Sequence, residues 1–382
     1  MDRLQDAVHL VLGVVALRRE PVRDVPQQRE PTVLGGGNRL EPAFAKERRQ
    51  VRWTIETGAS QIVSFRPLHP CDDTRAVPTD ALRAPMPKRI TIVEVAPRDG
   101  LQAEERILPT EAKLHLLDRL ADAGHTVIEA TSFVSAAAVP QLADAEDLMR
   151  RLRPRRGVRY PVLIPNEKGL DRALACGVRE AAVFASASES YSRKNLNRSR
   201  DEAIEVYRPV VRRAKDEGLR VRGYLSMVIA DPWDGPTPPS VAVDAGRRLL
   251  DLGCDELSLG DTIGIGTPRE IVDLIAAFRA AGVGTQRLAL HLHDTYGQAL
   301  ANALAAMAEG ITVFDASAGG IGGSPFAKMA GGNLATEDLV WMCNGLGIAT
   351  GVDVRAIVGA SRWLGEQLGR ELPAHVSRAL PA

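Results

Sequence analysis

From residue 89 onward, short β-rich runs alternate with longer amphipathic stretches, and this alternation constrains the fold more than any other feature of the chain. The β-type runs are Ile90–Val95, Val127–Ala130, Tyr160–Ile164, Ala181–Phe184, Val221–Met227, Glu256–Leu259, Leu288–His291 and Val313–Asp315. Between them lie segments of helical periodicity such as Thr110–Ala123, Asp201–Glu217, Pro239–Leu252 and Pro268–Ala281. A strand–helix repeat builds a parallel sheet, because each helix carries the chain back to the start of the next strand. Eight repeats over about 260 residues match a closed barrel in size. An open doubly wound sheet competes, but no GxGxxG turn follows the first run. The expected fold is therefore α/β, a (β/α)₈ TIM barrel. Pro109-Thr110-Glu111 and Thr267-Pro268 mark helix starts, and Gly124, Gly218, Gly253 and Gly282 stand where helices should stop. Residues 351–382 are expected to add one or two helices outside the barrel.

Residues 1–85 read differently. Arg18-Arg19 and Arg48-Arg49, the run Gly35-Gly36-Gly37, and prolines at 21, 26, 31, 42, 67 and 70 leave little apolar periodicity. Too little apolar surface is on offer to offset the entropy of ordering, so a poorly ordered extension is expected, with the catalytic domain spanning 86–382. The character changes at Met86, where Met-Pro-Lys-Arg leads into the first β-type run. By hypothesis native translation begins near Met86, and a full-length intact mass from the natural source would refute this.

Lys+Arg and Asp+Glu each total 48, a balance that gives no field for attracting nucleic acid or an anionic membrane. Cys71, Cys176, Cys254 and Cys343 form no CxxC pair and read as thiols of a reducing compartment. The apolar stretch Ala7–Leu17 is too short to span a bilayer. Glu20, Asp24, Glu30, Glu41 and Glu47 argue against a transit peptide, so a cytoplasmic location is expected.

In parallel barrels the chemistry gathers where strands run into the following loops. Those positions hold Arg98, Asp99 and Gln102 after the first run, then Glu129, Thr131 and Ser132, Asn166, Ser226, and Asp261 with Thr262. His291, His293 and Asp294 follow the seventh run; Asp315, Ser317, the loop Gly319–Pro325 and Asn333 follow the eighth. In His291-Leu292-His293 the alternation of a strand puts both imidazoles on one face. An isolated HxH is weak evidence, but two imidazoles with a carboxylate and neutral oxygens suit a divalent ion. Asp99 is the natural carboxylate, with Asp294 the alternative ligand or a partner orienting an imidazole. Arg98 carries a permanent charge fit to stabilise an oxyanion or enolate, and equally fit for an ion pair with Asp99 or Glu129. Glu129 is read as the anchor of Arg98 in preference to a general base. Gln102, Ser132, Asp261 and Thr262 are the polar positions expected to meet substrate. Ser192-Arg193-Lys194-Asn195 is a candidate phosphate-contacting loop, against the alternative of a solvated charge cluster.

The strings Val93–Gln102, Ile128–Val134, Ser258–Gly264, His291–Asn302 and Gly332–Val340 together resemble the 3-hydroxy-3-methylglutaryl-CoA lyases. Those enzymes belong to a barrel superfamily that also holds isopropylmalate and homocitrate synthases. The resemblance runs from about residue 88 to about 350. It implies that Asp99, His291, His293 and Asn333 bind Mg²⁺ or Mn²⁺, that Arg98 stabilises the enolate, and that Arg98, Glu129, His291 and Ser324 form the catalytic group. The implied reaction is a retro-Claisen cleavage of an acyl-CoA substrate, giving acetyl-CoA and a keto acid (acetoacetate in leucine breakdown). A homo-oligomer, dimer or tetramer, is the expected assembly, with neither nucleic acid nor membrane as partner.

One position departs from the pattern. Where the lyases carry a catalytic cysteine in a Gly-Gly-Cys-Pro context, this chain has Gly323-Ser324-Pro325. A thiol with a pKa near about 8.5 exchanges protons close to neutrality, and a hydroxyl needs an activating base or metal to do so. Two alternatives stay open: a Claisen-condensing synthase of the superfamily, and a metal- and acyl-CoA-binding protein without turnover.

Overall fold

The computed structural model of the chain describes residues 86–323 and 331–380. The expectations for residues 1–85, Ser324 and Pro325 lie outside the described residues.

Strand β1 (Thr91–Glu94) leads through a π-helical turn, Ala96–Gly100, to α1 (Thr110–Asp122). The pair β2 (Val127–Ile128) and β3 (Thr131–Ser132) precedes α2 (Ala145–Arg151), and β4 (Val162–Leu163) precedes α3 (Glu167–Ala175). After β5 (Glu180–Ser186) come α4 (Glu189–Leu196) and α5 (Arg200–Asp216). After β6 (Arg220–Ser226) come a hairpin, β7 (Ala230–Asp231) and β8 (Gly235–Pro236), and then α6 (Pro239–Leu252). The pairs β9 (Glu256–Asp261) with α7 (Pro268–Ala280) and β10 (Leu288–Leu292) with α8 (Ala299–Ala308) follow. The described chain closes with β11 (Val313–Ala316), α9 (Thr336–Gly345), α10 (Val354–Leu368) and α11 (His375–Ala379).

The main sheet runs in the order β2-β1-β11-β10-β9-β6-β5-β4-β3, and every pairing within it is parallel. Its two terminal strands, β2 and β3, are halves of one stave interrupted only at Glu129 and Ala130. The Glu129 N–H donates to Glu94 O at 2.9 Å and the Ala130 N–H to Pro161 O at 2.9 Å, so each half is stitched to a different neighbour. The nine strands thus make eight staves, and the sheet closes on itself as a TIM barrel.

The anticipated helices form with the signals the sequence carries. Thr267 caps α7 in a reciprocal box with Glu270, the Thr267 N–H meeting Glu270 Oε2 at 2.9 Å. Gly253 ends α6 with φ at 116°, a left-handed turn that only glycine adopts freely. The core is the layer between barrel and helices, where Ile92, Leu116, Leu120, Leu259, Leu290 and Phe314 pack together. Helices α10 and α11 lie outside, with Trp363 of α10 packed at a tilt against His115 of α1, 4.8 Å between ring centres. Among the described residues no helix is long and apolar enough to cross a membrane.

Candidate active site

Strand parity decides which side chains enter the barrel. On β6, Arg222, Tyr224 and Ser226 point inward while Val221 and Leu225 join the outer core. On β9 the inward set is Glu256, Ser258 and Gly260; on β10 and just past it, His291 and His293; on β11 and just past it, Asp315 and Ser317. Apolar residues Val93, Val95, Val127 and Val313 form a separate small cluster deeper in the barrel. Above it the interior is polar.

Asp99, His291 and His293 bring one ligand atom each to within 4.8 Å of one another. His291 Nε2 lies 3.2 Å from His293 Nε2 and 3.7 Å from Asp99 Oδ2. Both outer ring nitrogens are anchored: His291 Nδ1 to Asp315 Oδ2 at 3.2 Å, and His293 Nδ1 to Gly331 O at 3.0 Å. Anchoring Nδ1 leaves each Nε2 lone pair aimed at the same spot. Asn333 joins them, its Nδ2 donating to Asp99 Oδ2 at 2.8 Å and to Ile321 O at 3.1 Å. Its Oδ1 is buried without a hydrogen-bond partner, a free carbonyl-type donor beside the triad. Two imidazoles, a carboxylate and an amide oxygen fit an oxygen- and nitrogen-preferring divalent ion. The electrostatics agree. Burial pushes the Asp99 carboxyl up, but Arg98 and the two imidazoles outweigh it and hold it at about 2. Burial, reinforced by His291, lowers His293 to about 4, so it is neutral near pH 7. For His291 burial works downward, yet the Asp315 hydrogen bond and the Asp99 charge raise it above the usual range.

Beside the triad runs a chain of buried opposite charges. Arg98 Nη1 donates to Asp99 Oδ1 at 2.6 Å, and its Nε and Nη2 both meet Glu129 Oε2 at 2.8 Å. Tyr224 donates its hydroxyl to the same Glu129 oxygen at 3.0 Å. Arg222 Nη1 reaches the Tyr224 hydroxyl at 3.3 Å, its Nη2 ion-pairs with Asp315 at 2.7 Å and its Nε with Glu256 at 2.9 Å. The Tyr224 ring sits between the two guanidinium groups, 5.2 Å from Arg98 and 5.1 Å from Arg222. Burial disfavours the Arg98 charge, but Glu129 and Asp99 more than compensate and raise its pKa. Arg98 is thus a fixed cation facing the cavity, and both readings of it, oxyanion partner and ion-pair member, are compatible with its position.

The glycine segment closes over this centre. Gly322 has φ at 126°, and a Cβ there would fall 2.3 Å from Asn333 Nδ2 and 3.5 Å from Asp99 Oδ2. Only glycine lets the backbone come this close. Above lies a cavity of about 500 Å³ whose polar end holds Arg98, Asp99, His291 and His293. Its other walls are largely apolar, with Val134, Val139, Leu163 and Phe184 among them.

Gln102 and Thr262 line this cavity; Ser132 and Asp261 do not. Asp261 is turned away by parity, since it pairs with Leu292 of the outer core, while Ser132 pairs with the inward Leu163 and spends its hydroxyl on backbone. Ser132 Oγ donates to Leu163 O at 3.3 Å, and Asp261 accepts from the Gly266 N–H at 2.9 Å and the Ile265 N–H at 3.2 Å. Burial raises Asp261 to about 6. These contacts hold backbone. Asp294 is likewise not in the triad, since its carboxylate accepts the Ala299 N–H at the start of α8 at 2.9 Å. Ser192–Asn195 is not a loop but part of α4, where Arg193 pairs with Glu189 at 2.7 Å and Lys194 lies over the Trp233 ring at 4.4 Å. Asn195 and Tyr191 of that helix reach the cavity. Arg222 and Tyr224 were not singled out from the sequence, although their i, i+2 spacing, alternating with Val221, Gly223 and Leu225, is a readable signal for inward polar residues.

The model of the HMGL-like family matches residues 89–364, which takes in the barrel and most of α10. The chain belongs to the HMGL-like family. Among relatives, a mitochondrial hydroxymethylglutaryl-CoA lyase of Arabidopsis thaliana is 50% identical over 285 residues, 75% of this chain and 61% of that protein. The hydroxymethylglutaryl-CoA lyase of Pseudomonas aeruginosa superposes with a TM-score of 0.75 at 46% identity, covering 77% of this chain and 98% of that one. An HMG-CoA lyase of Acinetobacter baumannii, solved with coenzyme A and 3-methylmalate, superposes with a TM-score of 0.73 at 33% identity, covering 76% and 95%. Each HMGL-like relative named here is a carbon–carbon lyase by name.

Proposed function

We propose that this chain cleaves 3-hydroxy-3-methylglutaryl-CoA, or a closely related 3-hydroxyacyl-CoA, to acetyl-CoA and a keto acid. The observation that carries this reading is the Asp99–His291–His293 cluster, set beside the fixed charge of Arg98 at the polar end of one cavity. Mg²⁺ or Mn²⁺ would be held by Asp99, His291, His293 and Asn333, and when bound it supplies a Lewis acid for the substrate oxygens. In the cleavage the tertiary hydroxyl loses its proton and becomes a carbonyl. The bond to the thioester's α-carbon breaks, its electron pair becomes the enolate of acetyl-CoA, and a proton returns to that carbon. Arg98 stabilises the enolate oxygen, and Glu129 and Tyr224 fix its guanidinium in place beforehand. His291 contributes as a ligand, its Nδ1 held by Asp315 and its Nε2 aimed at the metal spot, and the return proton falls to the segment bearing Ser324, with Ser324 placing a water. The apolar walls exclude bulk water from the enolate.

The test is direct: HMG-CoA and Mg²⁺ are incubated with the protein, and acetoacetate and acetyl-CoA are quantified together. Equimolar products, lost in His293→Ala, support the lyase. CoA release from acetyl-CoA and a 2-keto acid instead would support the condensing direction, and binding without product the non-catalytic reading. We further propose that the catalytic unit starts near Met86, since the family match begins at residue 89; a protein starting there should keep full kcat. We also propose a cytoplasmic location and a homo-oligomeric assembly, tested by fractionation and light scattering.

A further inference from the structure

A carboxylate outside the cavity ties together the three segments that carry the site. Glu94, the last residue of β1, is fully buried. By parity it faces the layer between barrel and helices, away from the cavity. Its Oε1 accepts the Ala96 N–H and the Ala318 N–H, each at 2.9 Å, and its Oε2 accepts the Thr336 hydroxyl at 2.7 Å. Ala96 opens the π-helical turn that presents Arg98 and Asp99. Ala318 opens the glycine segment that leads to Gly322. Thr336 opens α9, three residues after Asn333. One side chain therefore holds the roots of all three. A second buried carboxylate, Glu337, takes the next amide of the same root, Gly319 N–H, at 3.0 Å, so the loop's start is pinned from two sides.

We infer that Glu94 is a positioning residue, setting the mutual placement of Asp99, Gly322 and Asn333 without touching substrate. These three meet closely: Asn333 Nδ2 bridges Asp99 and Ile321 O, and no room for a side chain exists between Gly322 and Asn333. Small displacements of any root change where Asp99 Oδ2 and Asn333 Oδ1 point. The bonding pattern also distinguishes substitutes. In Glu94→Gln the amide oxygen keeps both N–H donors and the Nε2 donates to the Thr336 hydroxyl, which rotates to accept. Glu94→Asp is one methylene too short to span all three.

This inference rests on the proposed metal site only for one of its readouts. Mn²⁺ affinity of the full chain, measured by titration calorimetry, is expected to weaken about 10- to 100-fold in Glu94→Ala and Glu94→Asp, as for other residues that orient ligands. It should stay close to native in Glu94→Gln. In acyl-CoA turnover kcat should fall in the Ala and Asp variants with KM little changed, because Glu94 does not face the cavity. Amide exchange at Ala96 and Ala318 should accelerate in the same two variants, a readout that holds even if the native protein binds no Mn²⁺. Should Glu94→Ala fail to fold, the Asp and Gln variants decide. Native amide exchange in Glu94→Asp overturns the assignment, and so does native Mn²⁺ affinity in that variant where the native protein binds the ion. Loss of either property in Glu94→Gln overturns it too. Failure of the native protein to bind Mn²⁺ would instead strike the metal reading.

Discussion

Asp315→Asn is the substitution whose consequences the structure fixes most fully. Asp315 Oδ2 accepts the Ser258 hydroxyl at 2.8 Å and faces His291 Nδ1 at 3.2 Å, while Oδ1 faces Arg222 Nη2 at 2.7 Å. An asparagine keeps one acceptor and puts an NH₂ at the other position. If the NH₂ faces His291, that ring must take its proton on Nε2, where it points at the metal spot in place of a lone pair. If it faces Arg222, two donors oppose each other in a buried site. The first arrangement costs about 10- to 100-fold in metal affinity, or roughly 1.4 to 2.8 kcal/mol. Stripping one partner from a buried ion pair costs about 3 to 5 kcal/mol. Arg222 retains Glu256 at 2.9 Å, so the lower end, about 3 kcal/mol, is expected for stability. Calorimetric titration with Mn²⁺ and urea unfolding read the two quantities. Native Mn²⁺ affinity together with native stability would refute this, since the NH₂ must either turn the His291 proton toward the metal spot or oppose the Arg222 donor.

Three further outcomes are expected. Gly322→Ala places a methyl 2.3 Å from Asn333 Nδ2 on a left-handed backbone; Mn²⁺ affinity and kcat should both drop at least about tenfold, and an unperturbed Kd would argue against Asn333 as a ligand. Metal binding should be pH-dependent with one proton displaced per ion between about pH 5 and 6. His291 is raised above 6.5 and must deprotonate to bind, whereas His293, lowered to about 4, is already neutral there. Affinity therefore falls as pH falls, and a slope of two protons in log Kd against pH would contradict these assignments. Ser324→Cys should raise kcat on HMG-CoA near and above neutrality, because a thiol exchanges protons there and a hydroxyl does not; a loss of activity would mean that the hydroxyl itself is adapted to its task.

The barrel was legible because its signals are local and repeated. Apolar runs bounded by capping residues such as Thr267 and stop glycines such as Gly253 give both the elements and their order. Asp99, His291 and His293 were legible because strand ends and the i, i+2 rule place them, Asn333 came with the family resemblance, and the structure brings the four together. Helix α4 and the β7–β8 hairpin were missed: they are short and polar, and their stability comes from tertiary contacts such as Ser188 Oγ with Asp231 and Tyr191 with Trp233. Nearness to a strand end alone does not bring a side chain to the cavity: Asp261 has outward parity, and Ser132, just past the break in its stave, bonds backbone. Glu94 illustrates the opposite failure. Its three donors come from residues 96, 318 and 336, and contacts separated by more than 200 positions leave no trace in a single sequence.

The Asp99–His291–His293–Asn333 cluster is proposed as a divalent-metal centre that drives carbon–carbon cleavage of an acyl-CoA. The most direct measurement is acetyl-CoA release from HMG-CoA by chelator-stripped protein, before and after Mg²⁺ or Mn²⁺ is restored. Negligible release without metal, recovered on addition in the native protein but not in His293→Ala, is the predicted result. Equal release with and without metal, or full recovery in His293→Ala, would contradict it.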